Sequence, residues 1–103
     1  MVAFLEIPSV ARRRRFCDQI DHSTSSAPSN IAEGFARYTP KEFARFLRIA
    51  IGSLGETQNH LRRALRDRII SQEQFDSVWP LSFRAIKASK KLHSYLRNCD
   101  DPD

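Results

Sequence analysis

The chain has 103 residues, enough for one domain. Hydrophobic residues make up 41% and charged residues 28%, which provides for both a core and a hydrated surface. No apolar run approaches the ~20 residues of a membrane span, no basic stretch leads into an apolar one as in a secretory signal, and the default compartment is the cytoplasm. The net charge of +5 is uneven: setting aside Asp100, Asp101 and Asp103 leaves 17 basic against 9 acidic residues, a net +8. A basic body with an acidic tail at residues 100–103 suits a polyanionic partner. Cys17 and Cys99 lie near opposite ends with no CxxC and no histidine at ligand spacing, so they read as free thiols, with no metal site expected.

Apolar periodicity is helical throughout, and the three glycines leave little scope for hairpins. Residues 1–9 are too short for a helix of their own. Residues 10–26 carry Phe16 and Ile20 at helical spacing, followed by Ala27, Pro28 and then Ile31, Ala32, Phe35 and Ala36. The expectation is one helix, kinked or broken near Pro28 and ending around Arg37. Ser29 and Asn30 are expected to repair backbone groups freed by Pro28, and Gly34 to admit another helix closely. A polar site at Asn30 and Glu33 is the functional alternative.

The clearest helix starts at Thr39, a good N-cap, with Pro40 at the first position and Glu42 placed for a capping box. Phe43, Leu47, Ala50, Leu54, Thr57, Leu61 and Ala64 then recur in steps of four and three, a heptad seam. Phe46, Ile51, Gln58 and Leu65 widen it to the breadth of a bundle interior. Gly52 and Gly55, flanking Ser53, are expected to mark a tight helix crossing, since each glycine costs a helix about 1 kcal/mol. They lie mid-helix, away from any strand-to-helix turn, which excludes a phosphate-cradling loop. After Arg68 only Ile69 and Ile70 precede Ser71, which with Gln74 forms the next capping box, so the two helices are antiparallel neighbours. The last helix shows Phe75, Val78, Trp79, Ile86, Leu92, Tyr95 and Leu96 as its apolar face, with a kink or restart expected at Pro80.

These segments resemble a known family. PSNIAEGFAR, then KEFARFLRIAIGSLGETQNHL, then SQEQF, are similar to the signature PSNIAEGFGR and the EF-RFL-IA-GSL-E-TQL pattern of the bacterial 23S ribosomal RNA intervening-sequence proteins, over about residues 16–97. The resemblance implies an up-and-down four-helix bundle that assembles into rings, typically pentamers. A related group comprises the basic, nucleic-acid-associated accessory proteins of diversity-generating retroelements. Two departures stand out. Ile7-Pro8 occupies the place of the family's Phe-Pro turn, so its long first helix is reduced here to residues 2–7. Asp21 and His22 replace the basic pair after the DQI motif, and the arginines lie earlier.

No catalytic constellation emerges. Asp18, His22 and Ser26 fall side by side along one helix, which supplies neither triad geometry nor an oxyanion hole. His60 and His93 lack acidic partners at ligand spacing. Two basic groups are candidates for nucleic acid: Arg12, Arg13, Arg14 and Arg15, and Arg62, Arg63, Arg66 and Arg68, continued by Arg84, Lys87, Lys90 and Lys91. Cations complementing a helix C-terminus explain part of the second group, but not four consecutive arginines. With no aromatic interleaved, base stacking is not expected. The expectation is an all-α antiparallel bundle at residues 1–99, three long helices with a residual N-terminal stub. Its expected role is that of a non-enzymatic homo-oligomer binding RNA or DNA through phosphates, without cofactor, small-molecule substrate or membrane. The alternative is a purely structural or protein-interaction module of a ring.

Overall fold

The computed structural model describes residues 8–37 and 39–100. The expected stub at residues 2–7 and the end of the acidic tail lie outside them. Three helices make up the fold: α1 (Pro8–Phe35), α2 (Pro40–Arg66) and α3 (Gln72–Arg97). The chain is all-α and up-and-down. Outer helices α1 and α3 each pack on α2, and among the described residues they do not pack on one another. The body measures 62 × 27 × 14 Å, long and thin.

Helix boundaries follow local chemistry. Thr39 Oγ1 accepts from the Glu42 amide at 3.2 Å, with Pro40 in the first turn. The Glu42 side chain does not return the bond, so the expected capping box is half made. At Ser71 both halves form: the Gln74 amide donates to Ser71 Oγ (3.1 Å) and the Ser71 amide to Gln74 Oε1 (2.8 Å). Helix α2 stops at Arg66, two residues sooner than its sequence pattern suggests. Arg68 adopts the left-handed conformation (φ 59°), and the Ile69 amide reaches back to the Ala64 carbonyl at 2.8 Å. That is a Schellman-type ending with arginine where glycine is usual.

Neither proline breaks its helix: Pro28 lies inside the single expected helix α1, and Pro80 inside α3, which does not restart there. Each removes one N–H, from the carbonyls of Thr24 and Asp76 respectively. Both carbonyl-bearing residues and both prolines are exposed, so the freed acceptors lie on the solvent side of their helices. Helix α1 ends at Phe35, before Arg37. Ser29 is exposed and makes no side-chain hydrogen bond, while Asn30 Nδ2 donates to the Ser26 carbonyl (2.9 Å), not to the one Pro28 leaves free. The expected repair therefore does not occur.

The core is narrow and partly polar. Leu47, Ala50, Leu61 and Ala64 of α2 are buried, as the seam predicts, and Ala44, Leu47 and Leu96 cluster with half-buried Ile31 and Phe43. Along α1–α2 the interior is built from small hydroxyls. Ser26 and Ser53 share a 2.8 Å hydrogen bond, and the Thr57 hydroxyl stands 2.9 Å from that of Ser23. Across α2–α3, Gln58 Nε2 donates to Ser82 Oγ at 3.1 Å. Residues of α2 turned to α1 (Ser53, Thr57) and those turned to α3 (Gln58, Arg62) lie about 140° apart around its axis, from 100° per residue. Two neighbours so placed flank α2 on nearly opposite sides, in keeping with the 14 Å thinness of the body.

Of the glycines, only Gly34 marks a close approach within the chain. A Cβ at Gly52 or Gly55 would meet nothing within 4 Å, so the crossing expected there is absent among the described residues. Apart from exposed Phe83, the apolar residues of α3 divide into two rows. Phe75, Trp79, Ile86 and Leu96 are buried or half-buried, in one row with Ser82, Ser89 and His93. Val78, Leu92 and Tyr95 join Leu81, Ala85 and Ala88 in a second row, again at steps of three and four, which is exposed along its length; Leu81 is 55% and Tyr95 67% accessible.

Candidate nucleic-acid interface

The N-terminal half of α1 runs beside the C-terminal end of α2 in the antiparallel sense, and this brings two distant basic groups together. Arg12, Arg15, Phe16 and Gln19 form one stripe at i, i+3, i+4, i+7, and His60, Arg63, Ala64 and Asp67 form the matching stripe on α2. With Ile69 from the turn they line a cavity of about 220 Å³. Three arginines thus line one concavity with Ala64 and Phe16. Arginine offers a planar fork of donors that matches phosphate oxygens.

His60 is the buried member, at 8% exposure. Against the expectation that it lacks an acidic partner, its Nε2 lies 3.4 Å from Oε1 of Glu56, one helical turn earlier, and its Nδ1 has no hydrogen-bond partner. A buried polar nitrogen without a partner carries a stability penalty. Asp67 also lines the cavity, with Oδ1 3.3 Å from Arg66 Nε, so its charge is offset on the outer side.

The other predicted phosphate contacts are dispersed. Arg13 and Arg14 are exposed and outside the cavity. Arg62 lies on the α3 side of α2, with its guanidinium 4.7 Å over the Trp79 ring, and Trp79 in turn stacks on Phe75 at 5.1 Å. Aromatics therefore do meet the basic groups in space, although none interleaves them in sequence. Arg66 pairs with Asp67, and Arg68 forms the turn. Arg84, Lys87, Lys90 and Lys91 are exposed on α3, which α2 separates from α1. Sequence reasoning missed Gln19, His60 and Asp67 as cavity residues, and Arg37 and Arg45, whose guanidiniums lie 5.0 and 4.9 Å from the Phe46 ring. The matched i, i+3, i+4, i+7 stripes would have shown the cavity once antiparallel pairing was assumed.

Asp18 and His22 are exposed and make no contact with Ser26, whose hydroxyl is engaged by Ser53 and Asn30. Glu33 pairs with Arg37 at 2.8 Å. Among the described residues no group of three or more metal-ligating side chains occurs, and no helix is long and apolar enough to cross a membrane.

No curated protein and no solved structure matches the chain. The helical architecture and the PSNIAEG and GSL segments agree with a sequence-family match over residues 4–94, and the chain belongs to the family of the 23S rRNA-intervening sequence protein.

Proposed function

We propose that this is a non-enzymatic, cytoplasmic, homo-oligomeric protein that binds RNA or DNA through backbone phosphates without reading sequence. The observation that carries this is the meeting of Arg12 and Arg15 with Arg63 around one cavity, with Arg13 and Arg14 exposed beside it. Charge supports it, since the chain without its acidic tail carries +8. Phosphate contacts by arginine release condensed counterions, so affinity falls steeply with salt. Fluorescence anisotropy with unrelated RNA and DNA oligonucleotides across a salt series tests this. Replacing residues 12–15 by alanine should weaken all sequences alike and flatten the log–log salt slope by roughly 2–4. An unchanged slope removes these arginines from the function.

The second reading, a structural or protein-interaction module of a ring, is favoured by the exposed row from Val78 to Tyr95. Apolar rows of this length mark interaction surfaces. The pentamer implied by the resemblance is the assembly we propose for it. Light scattering over a range of concentrations tests the assembly, and a monomer at every concentration rejects it.

A further inference from the structure

We propose that the cavity between the start of α1 and the end of α2 is a pocket for a single phosphomonoester, the terminal phosphate of a nucleic-acid strand or a small phosphate. The proposal rests on the phosphate-binding reading above and narrows it to one site and one charge state.

Arg12, Arg15 and Arg63 bring three positive charges to one concavity. Asp67, the acidic residue on its lining, is engaged by Arg66, so it does not cancel them. A phosphomonoester carries about −1.5 to −2 at neutral pH and three terminal oxygens, where a phosphodiester carries a single charge. Three forked cations therefore match the monoester better in both charge and acceptor number. Size agrees. At about 30 Å³ per water in the liquid, 220 Å³ is room for roughly seven waters, which suits a phosphate and part of one sugar. A diester must enter and leave the site, whereas a monoester ends in it. His60 lines the same cavity and is buried, so its ring reports on what occupies the space beside it. Gln19, on the same lining, carries a neutral amide donor.

The test compares, by anisotropy, oligonucleotides of one sequence and length carrying 5′-phosphate, 3′-phosphate or hydroxyl at both ends. Inorganic phosphate is titrated separately and read from the ring resonances of His60. A phosphorylated end should bind roughly tenfold tighter than a hydroxyl end, the equivalent of one charge-assisted hydrogen bond. Arg63→Gln, and independently the double variant Arg12→Gln/Arg15→Gln, should bring that ratio to one. Arg84→Gln, on α3 and off the cavity, should leave it unchanged. All these side chains are exposed, so circular dichroism should match the parent. If only inorganic phosphate moves the His60 resonances, and Arg63→Gln abolishes that, the pocket stands with a small phosphate as its source. Equal affinity for all three oligonucleotides with no response to inorganic phosphate overturns the pocket while the backbone-phosphate function survives. Absence of binding to any oligonucleotide overturns that function instead.

Discussion

Gly34 and Phe46 are in contact: a Cβ built on Gly34 would stand 2.8 Å from the Phe46 Cβ, with Phe43 Cδ1 at 2.9 Å. Neither Cβ can retreat without moving a helix, so the α1–α2 spacing near the turn is set by the missing side chain. Gly34→Ala should destabilise by about 1–3 kcal/mol, the usual cost of overpacking. Gly52→Ala and Gly55→Ala should each stabilise the single chain by about 0.5–1 kcal/mol, since no atom opposes the methyl group. Urea unfolding of the three variants checks the opposite signs. A stabilised chain whose assembly is weakened would place Gly52 and Gly55 between copies.

The left-handed Arg68 gives a second stability prediction. A non-glycine residue pays roughly 1 kcal/mol for this conformation. Arg68→Gly should raise the unfolding midpoint by a corresponding amount, with the denaturant slope unchanged. A lower midpoint would mean that the Arg68 side chain makes compensating contacts.

His93 governs an acid-side loss of stability. Its pKa is lowered below 6.5, first by burial and then by the guanidiniums of Arg48 and Arg97. Above that value the ring is neutral whether the chain is folded or not. As pH falls through it the unfolded chain takes up a proton that the folded one resists, so stability declines toward the lower folded value. His93→Gln should flatten the stability–pH curve between about pH 7 and the onset of carboxylate titration near pH 5. An unaltered slope in the variant would assign the loss to other groups.

Assembly should depend on the exposed row of α3. Leu81→Glu/Leu92→Glu introduces two charges at positions that cost the single chain little, because both side chains face water. The doubly charged variant should remain helical by circular dichroism and sediment as a monomer at concentrations where the parent associates. Continued association would locate the contact elsewhere.

Legibility in the sequence tracked the kind of side chain that fills each interface. The second helix was readable because Thr39-Pro40 fixes its start and Leu47, Ala50, Leu61 and Ala64 repeat at heptad spacing. The Ser71–Gln74 box fixed the third. The inner face of α1 was obscure because Ser23, Ser26, Ala27 and Gly34 form it, and small or polar residues leave no hydrophobic signal. The two apolar rows of α3 merged into one because periodicity does not say which row meets α2. At Pro28 and Pro80 the sequence left a bend and a break open, because what a proline costs depends on where the carbonyl it frees is placed. For the candidate interface, residue types gave the arginines, but selecting Arg12, Arg15 and Arg63 from twelve arginine and lysine candidates required the register between α1 and α2.

Since α1 and α3 touch α2 but not each other, loss of either outer helix leaves the other's contacts in place. Opening can therefore proceed from one flank at a time, as in a short linear repeat whose units interact only with their neighbours. Amide exchange should be slowest in the middle of α2, which both flanks cover in part, and faster in both outer helices. A phosphate held between Arg12 and Arg63 would bridge the α1–α2 flank alone, and would slow exchange there while leaving α3 untouched.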